Sequence, residues 1–356
     1  MLLKKKIAIH ATNIFGLGAS EVSASLIQSL NSNYDNVISR IHLPCDGPLK
    51  SFMVDNPKTD HFRRYLNKSI SRFFECVFSN YYFSNNYNYI VLGDIPLYGI
   101  YNQVLLVHQA NLVSPIINPN SSNSLTFQLT RFLFKRNLRF VKTIIVQTDI
   151  IKKELLATYP QLRNRIKVVS QPVPANFKYK TSQTSNSKKD FKKITFFYPS
   201  SGYPHKNHKF LFKLKRELGT KKVDFKIFVT LNREEFKKYQ ELEFVENLGV
   251  IPFEEMSKYY SKFNALLFLS KIESYGLPLV EAMVQSIPIV TIRQGYSEWM
   301  CGSKALYFED NNVSSFLNAI RALREQNIWE VDYTQELIKF PKSWDVVADK
   351  FIEEII

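Results

Sequence analysis

Two series of short apolar runs, with helical patterns between the runs, most constrain what this 356-residue chain can fold into. The first series holds IAIH (7–10), VISRIHL (37–43), YNYIVLGDI (87–95), QVLLVHQA (103–110), KTIIVQTD (142–149) and IKVVSQPV (166–173). Each is bounded by turn residues, and helical stretches such as IIKKELLATYP (150–160) fall between them. Such alternation argues for a parallel sheet covered by helices on both faces. The polar stretch KYKTSQTSNSKKDFKK, Lys178 to Lys193, then interrupts the pattern and reads as a linker. After it the alternation restarts with KITFFYPS, HKNHKFLFKLKRELG, DFKIFVTL, EEMSKYYSKF, NALLFLS, IPIVTI, ALYFE and VSSFLNAIRALREQ. A last amphipathic stretch, KSWDVVADKFIEEII, stands apart as a helix. The expected organisation is an α/β chain with one doubly wound domain over 1–177, a linker over 178–193 and a second domain over 194–340. The terminal helix then occupies 341–356. Two such halves would face each other across a cleft at the strand C-termini, where ligands bind in these folds.

Length and hydrophobic content agree: 45% hydrophobic and 22% charged residues describe a folded chain too long for one ordinary core. Cys45, Cys76 and Cys301 share no metal-type spacing and cannot all pair, which fits a reducing cytoplasm. MLLKKK is not followed by the long apolar core of a signal peptide, and Asp94, Pro96, Asn102 and Gln103 interrupt the one long apolar window. The net charge of +15 is regional: residues 131–230 carry 24 Lys/Arg against 5 Asp/Glu. A basic excess attracts nucleic acid, an acidic membrane or phosphorylated substrates, and charge alone does not choose.

The stretch KIESYGLPLVEAM, Lys271 to Met283, sets Glu273 and Glu281 eight positions apart around Gly276 and Pro278. NALLFLS reads as a strand, so SKIESYG is the loop leaving its C-terminal end. Gly276 permits a tight turn, and Pro278 suits the first turn of a helix beginning near Leu277. A helix start carries oriented N–H donors and partial positive charge, a ready anion site. A ligand bearing phosphate and hydroxyls could set its phosphate there and its hydroxyls on the carboxylates. Acidic residues also stabilise helix starts for no functional reason.

The order Glu, Ser, Tyr, Gly, Leu, Pro, Leu, Val, Glu, Ala resembles the signature of retaining, nucleotide-sugar-dependent glycosyltransferases of GT-B architecture. The similarity is greatest to the large bacterial group that includes hexosyltransferases of surface-polysaccharide assembly. It implies two Rossmann-like doubly wound domains, with the C-terminal helix crossing back to the first. It implies that Glu273, with Ser274, Tyr275, Gly276 and Leu277, holds the donor sugar and diphosphate, and that Glu281 holds the ribose hydroxyls. Lys206, in YPSSGYPHKNHKFLF, would neutralise the diphosphate; the arginine many relatives carry a few residues earlier is missing from Pro199–Gly202. His205 and His208 beside it read as surface or capping residues. Gly16 and Gly18 match the glycine loop after the first strand, facing the cleft, although a lone GxG is common. His108, ending an apolar strand, matches a histidine near the donor sugar, or is a satisfied polar residue. Ser286 stands where relatives usually have glycine, which bears on a helix end.

The resemblance implies transfer of a sugar with retained anomeric configuration, the leaving phosphate taking the acceptor proton. With no Asp-x-Asp pair, neither cofactor nor obligatory metal is expected. Arg64, Lys68 and Arg72 lie four apart in HFRRYLNKSISRFFECVF, and Arg131, Lys135 and Arg139 repeat the spacing. Basic stripes beside aromatic residues suit helices on an anionic membrane, or are solvated faces of packed helices. A polyprenyl-diphosphate-linked saccharide acceptor and a peripheral place on the inner face of the cytoplasmic membrane follow as expectations. The alternatives are a nucleic-acid binder, for which no helix-turn-helix, zinc or RRM pattern appears, and a silent nucleotide-sugar-binding subunit. An inverting enzyme would need a base in the first domain, for which His10 and Asp94 are the candidates.

Overall fold

The computed structural model describes residues 6–64, 68–109, 112, 125–174, 177 and 193–356. The chain divides into two compact units, 1–172 with 340–356 and 173–339. Of the linker read over 178–193, all but Lys193 lies outside the described residues.

The first unit holds β1 (Ile7–His10), β2 (Ile38–Pro44), β3 (Thr59–Phe62), β4 (Asn88–Val91), β5 (Gln103–Val107), β6 (Val141–Val146) and β7 (Ile166–Val168). They form one parallel sheet ordered β3-β2-β1-β4-β5-β6-β7. The central strands are buried along their whole length, which is why they read as unbroken apolar runs and not as alternating ones. Helices Leu17–Asn33 and Trp344–Ile355 pack together in this unit's core, where Leu26, Ile27 and Leu30 meet Val347, Phe351 and Ile355. Polar groups fix the register of the terminal helix. Asp345 accepts from Ser29 and Asn33 at 2.5 and 2.7 Å, and Asp349 accepts from Tyr34 at 2.6 Å.

The second unit holds β8 (Ile194–Tyr198), β9 (Phe225–Val229), β10 (Val245–Asn247), β11 (Ala265–Phe268), β12 (Ile289–Ile292) and β13 (Leu306–Phe308). All are parallel, in the order β10-β9-β8-β11-β12-β13. Its core is aromatic: Phe316 lies against the rings of Phe196, Phe210, Phe225 and Phe308. In both sheets the chain winds outward from a central strand, then returns to the centre and winds the other way. The switch points lie between β1 and β4 and between β8 and β11. Loops leaving the carboxyl ends of those strands make a crevice where open α/β sheets bind ligands. Among the described residues no helix is long and apolar enough to cross a membrane.

Candidate active site

The two loops at the second unit's switch point are Pro199–Asn207, after β8, and Leu269–Gly276, after β11. They are tied together by the backbone, since the carbonyl of His205 accepts from the Lys271 N–H at 2.8 Å and from the Ser270 hydroxyl at 3.3 Å. Pro204–Lys206 forms a single 3-10 turn, ended by Asn207 at φ 59°, and the Tyr198 hydroxyl donates to the Lys206 carbonyl. These links set the Lys206 ammonium on the Glu273 carboxylate, Nζ to Oε1 2.5 Å. Both side chains are largely but not fully buried, 16% and 14% exposed, so they remain within reach of a ligand.

Gly276 caps the Leu277–Val284 helix at φ 89°, in the left-handed region that glycine tolerates, and brings no capping side chain. Pro278 lies in the first turn. The Tyr275 ring is buried, so only its backbone is offered to a ligand; Leu277 and Ser274 are half-buried. Glu281 follows one turn later and is only 5% exposed. Its Oε2 accepts a 2.6 Å hydrogen bond from the Tyr260 hydroxyl, which belongs to the Phe253–Tyr260 helix. Burial pushes the Glu281 carboxyl up to about 7, against the opposing hydrogen bond from Tyr260. Tyr260 escapes a reading of the sequence: nothing local marks one tyrosine of KYYSKF as the partner of a carboxylate 21 residues on.

Of the histidines beside Lys206, His205 is half-buried, and burial lowers its pKa, with Glu273 opposing and Lys206 assisting. His208 is not a surface residue. It occupies the N-cap of the Lys209–Leu218 helix by backbone position only, and no side-chain hydrogen bond caps that end. Its ring is buried against Tyr198, 4.9 Å between centroids, with Nε2 on the Ser200 hydroxyl at 3.0 Å. Burial holds it neutral down to about 4.

In the first unit, Gly16 is the exposed N-cap of the Leu17–Asn33 helix after β1, with open space around it, and Gly18 is exposed in the first turn. His108 follows β5. Its Nδ1 accepts from Gln147 at 3.1 Å, which leaves the proton on Nε2, a buried donor without an acceptor among the described residues. Burial lowers its pKa, against the charge of Asp94. The two candidates for a catalytic base sit in different surroundings. His10 is fully buried, with Nε2 2.6 Å from Glu75 Oε1. Asp94 Oδ1 accepts from the backbone N–H groups of His108 and Gln109 at 2.6 and 2.9 Å.

The basic stripes divide. Arg64 precedes the Lys68–Val77 helix, and its side chain is only 7% exposed because Nη2 binds Glu75 Oε2 at 2.6 Å. It is therefore not a surface contact. The Lys68 side chain lies outside the described part, and Arg72 is half-buried, donating to the Gly93 carbonyl at 2.9 Å. Arg131 is half-buried in the Leu125–Asn137 helix, while Lys135 is exposed. Arg139 falls just beyond that helix, exposed, with its guanidinium over the Tyr98 and Phe140 rings.

Residues 180–341 match the family model described as Glycosyl transferases group 1. The O-antigen chain mannosyltransferase RfbU of Salmonella typhimurium is 24% identical over 243 residues, 65% of this chain. That match spans 63% of the relative, just under two thirds of its length. HepE of Anabaena, solved with UDP and glucose, superposes with a TM-score of 0.62 at 13% identity, over 99% of this chain and 97% of its own. WaaG, a glycosyltransferase involved in lipopolysaccharide biosynthesis, gives 0.67 at 14% identity, over 97% and 99%. The lipopolysaccharide outer core galactosyltransferase WaaB gives 0.61 at 14% identity, over 98% of each chain. At such identities the likeness is one of fold: two Rossmann-like parallel-sheet units of the GT-B class. The family match over residues 180–341 covers most of the second unit and under half of the chain.

Proposed function

We propose that the protein is a retaining glycosyltransferase that moves a hexose from a nucleoside-diphosphate sugar to a saccharide acceptor in bacterial surface-polysaccharide synthesis. The observation that carries this reading is the contact between Lys206 and Glu273 at the second unit's switch point, beside the uncapped helix start at Gly276. The donor diphosphate would take up the Lys206 ammonium and the N–H groups of that helix start, releasing Glu273 to the sugar hydroxyls. Glu281 would hold the ribose, with Tyr260 fixing its carboxyl. The bond from the anomeric carbon to the diphosphate breaks as the bond to the acceptor oxygen forms on the same face. The acceptor proton passes to the departing diphosphate. His108, kept neutral by burial, is the first unit's candidate partner for the sugar, once its buried Nε2 N–H is uncovered. Protein groups then supply position and charge, and no resident metal or cofactor enters the scheme.

An acceptor linked to a polyprenyl diphosphate would place the protein at the cytoplasmic face of a membrane. Exposed Leu129 and Phe132 beside Lys135 and Arg139 support that reading. A thermal-shift series with UDP, GDP, ADP and CDP tests the donor site. One nucleotide should stabilise the protein by about RT ln(1 + [L]/Kd), and Glu281→Ala should abolish that shift. Equal shifts from all four, or a shift that Glu281→Ala leaves intact, would remove the assignment. Binding without turnover of the matching nucleotide sugar would make the chain a partner subunit.

A further inference from the structure

The loops that carry Lys206 and Glu273 rest on two buried tyrosines that no step of the proposed reaction uses. Tyr198 ends β8 and is fully buried, its ring stacked on His208 at 4.9 Å between centroids. Its hydroxyl donates to the carbonyl of Lys206 itself. Tyr296 comes from a separate element, the short helix Gly295–Cys301 that follows β12, and is also buried. Its hydroxyl donates at 2.5 Å to the carbonyl of Ser270, on the loop that leads to Glu273. The same ring supports the helix start, since a Cβ built on Gly276 would stand 3.8 Å from Tyr296 Cδ2. Phe268, the last residue of β11, completes the floor. Its ring meets Tyr296 edge to face at 6.2 Å and lies 5.8 Å from the Lys206 ammonium.

A buried hydroxyl on a backbone carbonyl is in general no more than a satisfied polar group of a core. These two are set apart by where their acceptors lie. One hydroxyl holds each loop, and each loop presents one member of the ion pair. The bond from the Lys271 N–H to the His205 carbonyl ties the loops together, so slack at one anchor reaches the other. Burial raises the pKa of both phenols, with Ser200 opposing at Tyr198, and the charge of Glu273 raises both further. Both therefore stay protonated and able to donate. Tyr333, also buried in this unit, makes the contrast: it donates at 3.3 Å to the Ile287 carbonyl, outside both loops.

We propose that Tyr198 and Tyr296 are positioning residues, whose hydroxyls set the spacing of Lys206 and Glu273 for a donor diphosphate. The diphosphate part rests on the glycosyltransferase reading; the anchoring of the loops does not. Tyr198→Phe and Tyr296→Phe keep the rings and remove one oxygen each, and Tyr333→Phe is the matched control. Titration calorimetry on the full chain with UDP and UMP, and with GDP and GMP, tests the diphosphate part. For the base that the wild type binds, each test variant should cut the preference for diphosphate over monophosphate about tenfold, as expected when a fixed cation is misplaced. Hydrogen exchange of the unliganded chain tests the anchoring. Both variants should speed exchange about tenfold within residues 199–207 and 269–276 and leave the rest of the second unit as it was. Tyr333→Phe should change neither the preference nor those two segments. If one test variant fails to fold, the other carries both measurements through the tie between the loops. An unchanged preference, exchange that rises evenly through the unit, or a control that behaves like the test variants would each overturn the positioning role. A wild type that binds none of the four nucleotides removes the donor reading, and the exchange pattern then decides the anchoring by itself.

Discussion

At the residue scale, Glu281 has the most telling environment. Its carboxyl titrates near 7 in the folded chain against 4.5 ordinarily, so between those values the folded form keeps a proton that the unfolded form has released. Stability must then fall as pH rises from 4.5 to 7 and stay lower above. Glu281→Gln keeps the acceptor for Tyr260 and removes the ionisation. It should stabilise the second unit by about 2–3 kcal/mol at pH 8 and by almost nothing at pH 4, read from urea unfolding at both values. Equal effects at the two pH values would mean that the carboxyl is not desolvated as described. The same variant should lose any nucleotide-induced shift, because a ribose partner has gone. A stabilised protein that no longer binds is the signature of a residue kept for function at a cost to the fold. Lys206 and Glu273 make the matching case in polar form: two charges, both about 15% exposed, satisfied by one another and open to exchange with a diphosphate.

At the element scale, the Leu277–Val284 helix is defined by its ends. Its start depends on Gly276, where a side chain would sit in the left-handed region with its Cβ 3.3 Å from Leu279. Its exit is less well matched. Ser286 adopts φ 55°, donating its N–H to the Met283 carbonyl, at a position where glycine costs nothing. Ser286→Gly should therefore stabilise the protein by about 1 kcal/mol, seen as a higher Tm with nucleotide binding unchanged. A lower Tm would show that the hydroxyl is needed. Elements built from buried apolar runs were legible from the chain alone: β1, β4, β5, β7 to β9 and β11 to β13 fall within the apolar runs, and β2 and β6 overrun theirs by one residue. The edge strands β3, TDHF, and β10, VEN, were not. Those two edge strands are short, partly exposed and mostly polar, so they carry no apolar pattern, unlike the edge strands β7 and β13. Arg64 misleads for a related reason. Four-residue spacing places it on a helical stripe, but the described helix begins at Lys68, and Glu75 draws the guanidinium inward.

At the scale of the whole molecule, the charge of +15 sets the interactions to expect with large anionic surfaces. If the protein works at a membrane, exposed Lys135 and Arg139 with Leu129 and Phe132 should seat it on acidic lipid. In a sedimentation assay it should pellet with vesicles containing phosphatidylglycerol, remain free with pure phosphatidylcholine, and come off in high salt. Equal binding to both vesicles would contradict this, as would tight, salt-sensitive binding to DNA in place of lipid.

What the sequence determined by itself was the order of strands and helices in two doubly wound halves and the glycine-proline helix start flanked by two glutamates. Those features rest on periodicity, turn chemistry and short spacings, all local. Only the tertiary structure decided which charges meet. Lys206 finds Glu273 across 67 residues, Tyr260 finds Glu281 across 21, and Arg64 is withdrawn from the surface by Glu75. The reason is physical: hydration and ionisation depend on what surrounds a group in space. Two loops far apart in the chain become neighbours only when β8 and β11 pair.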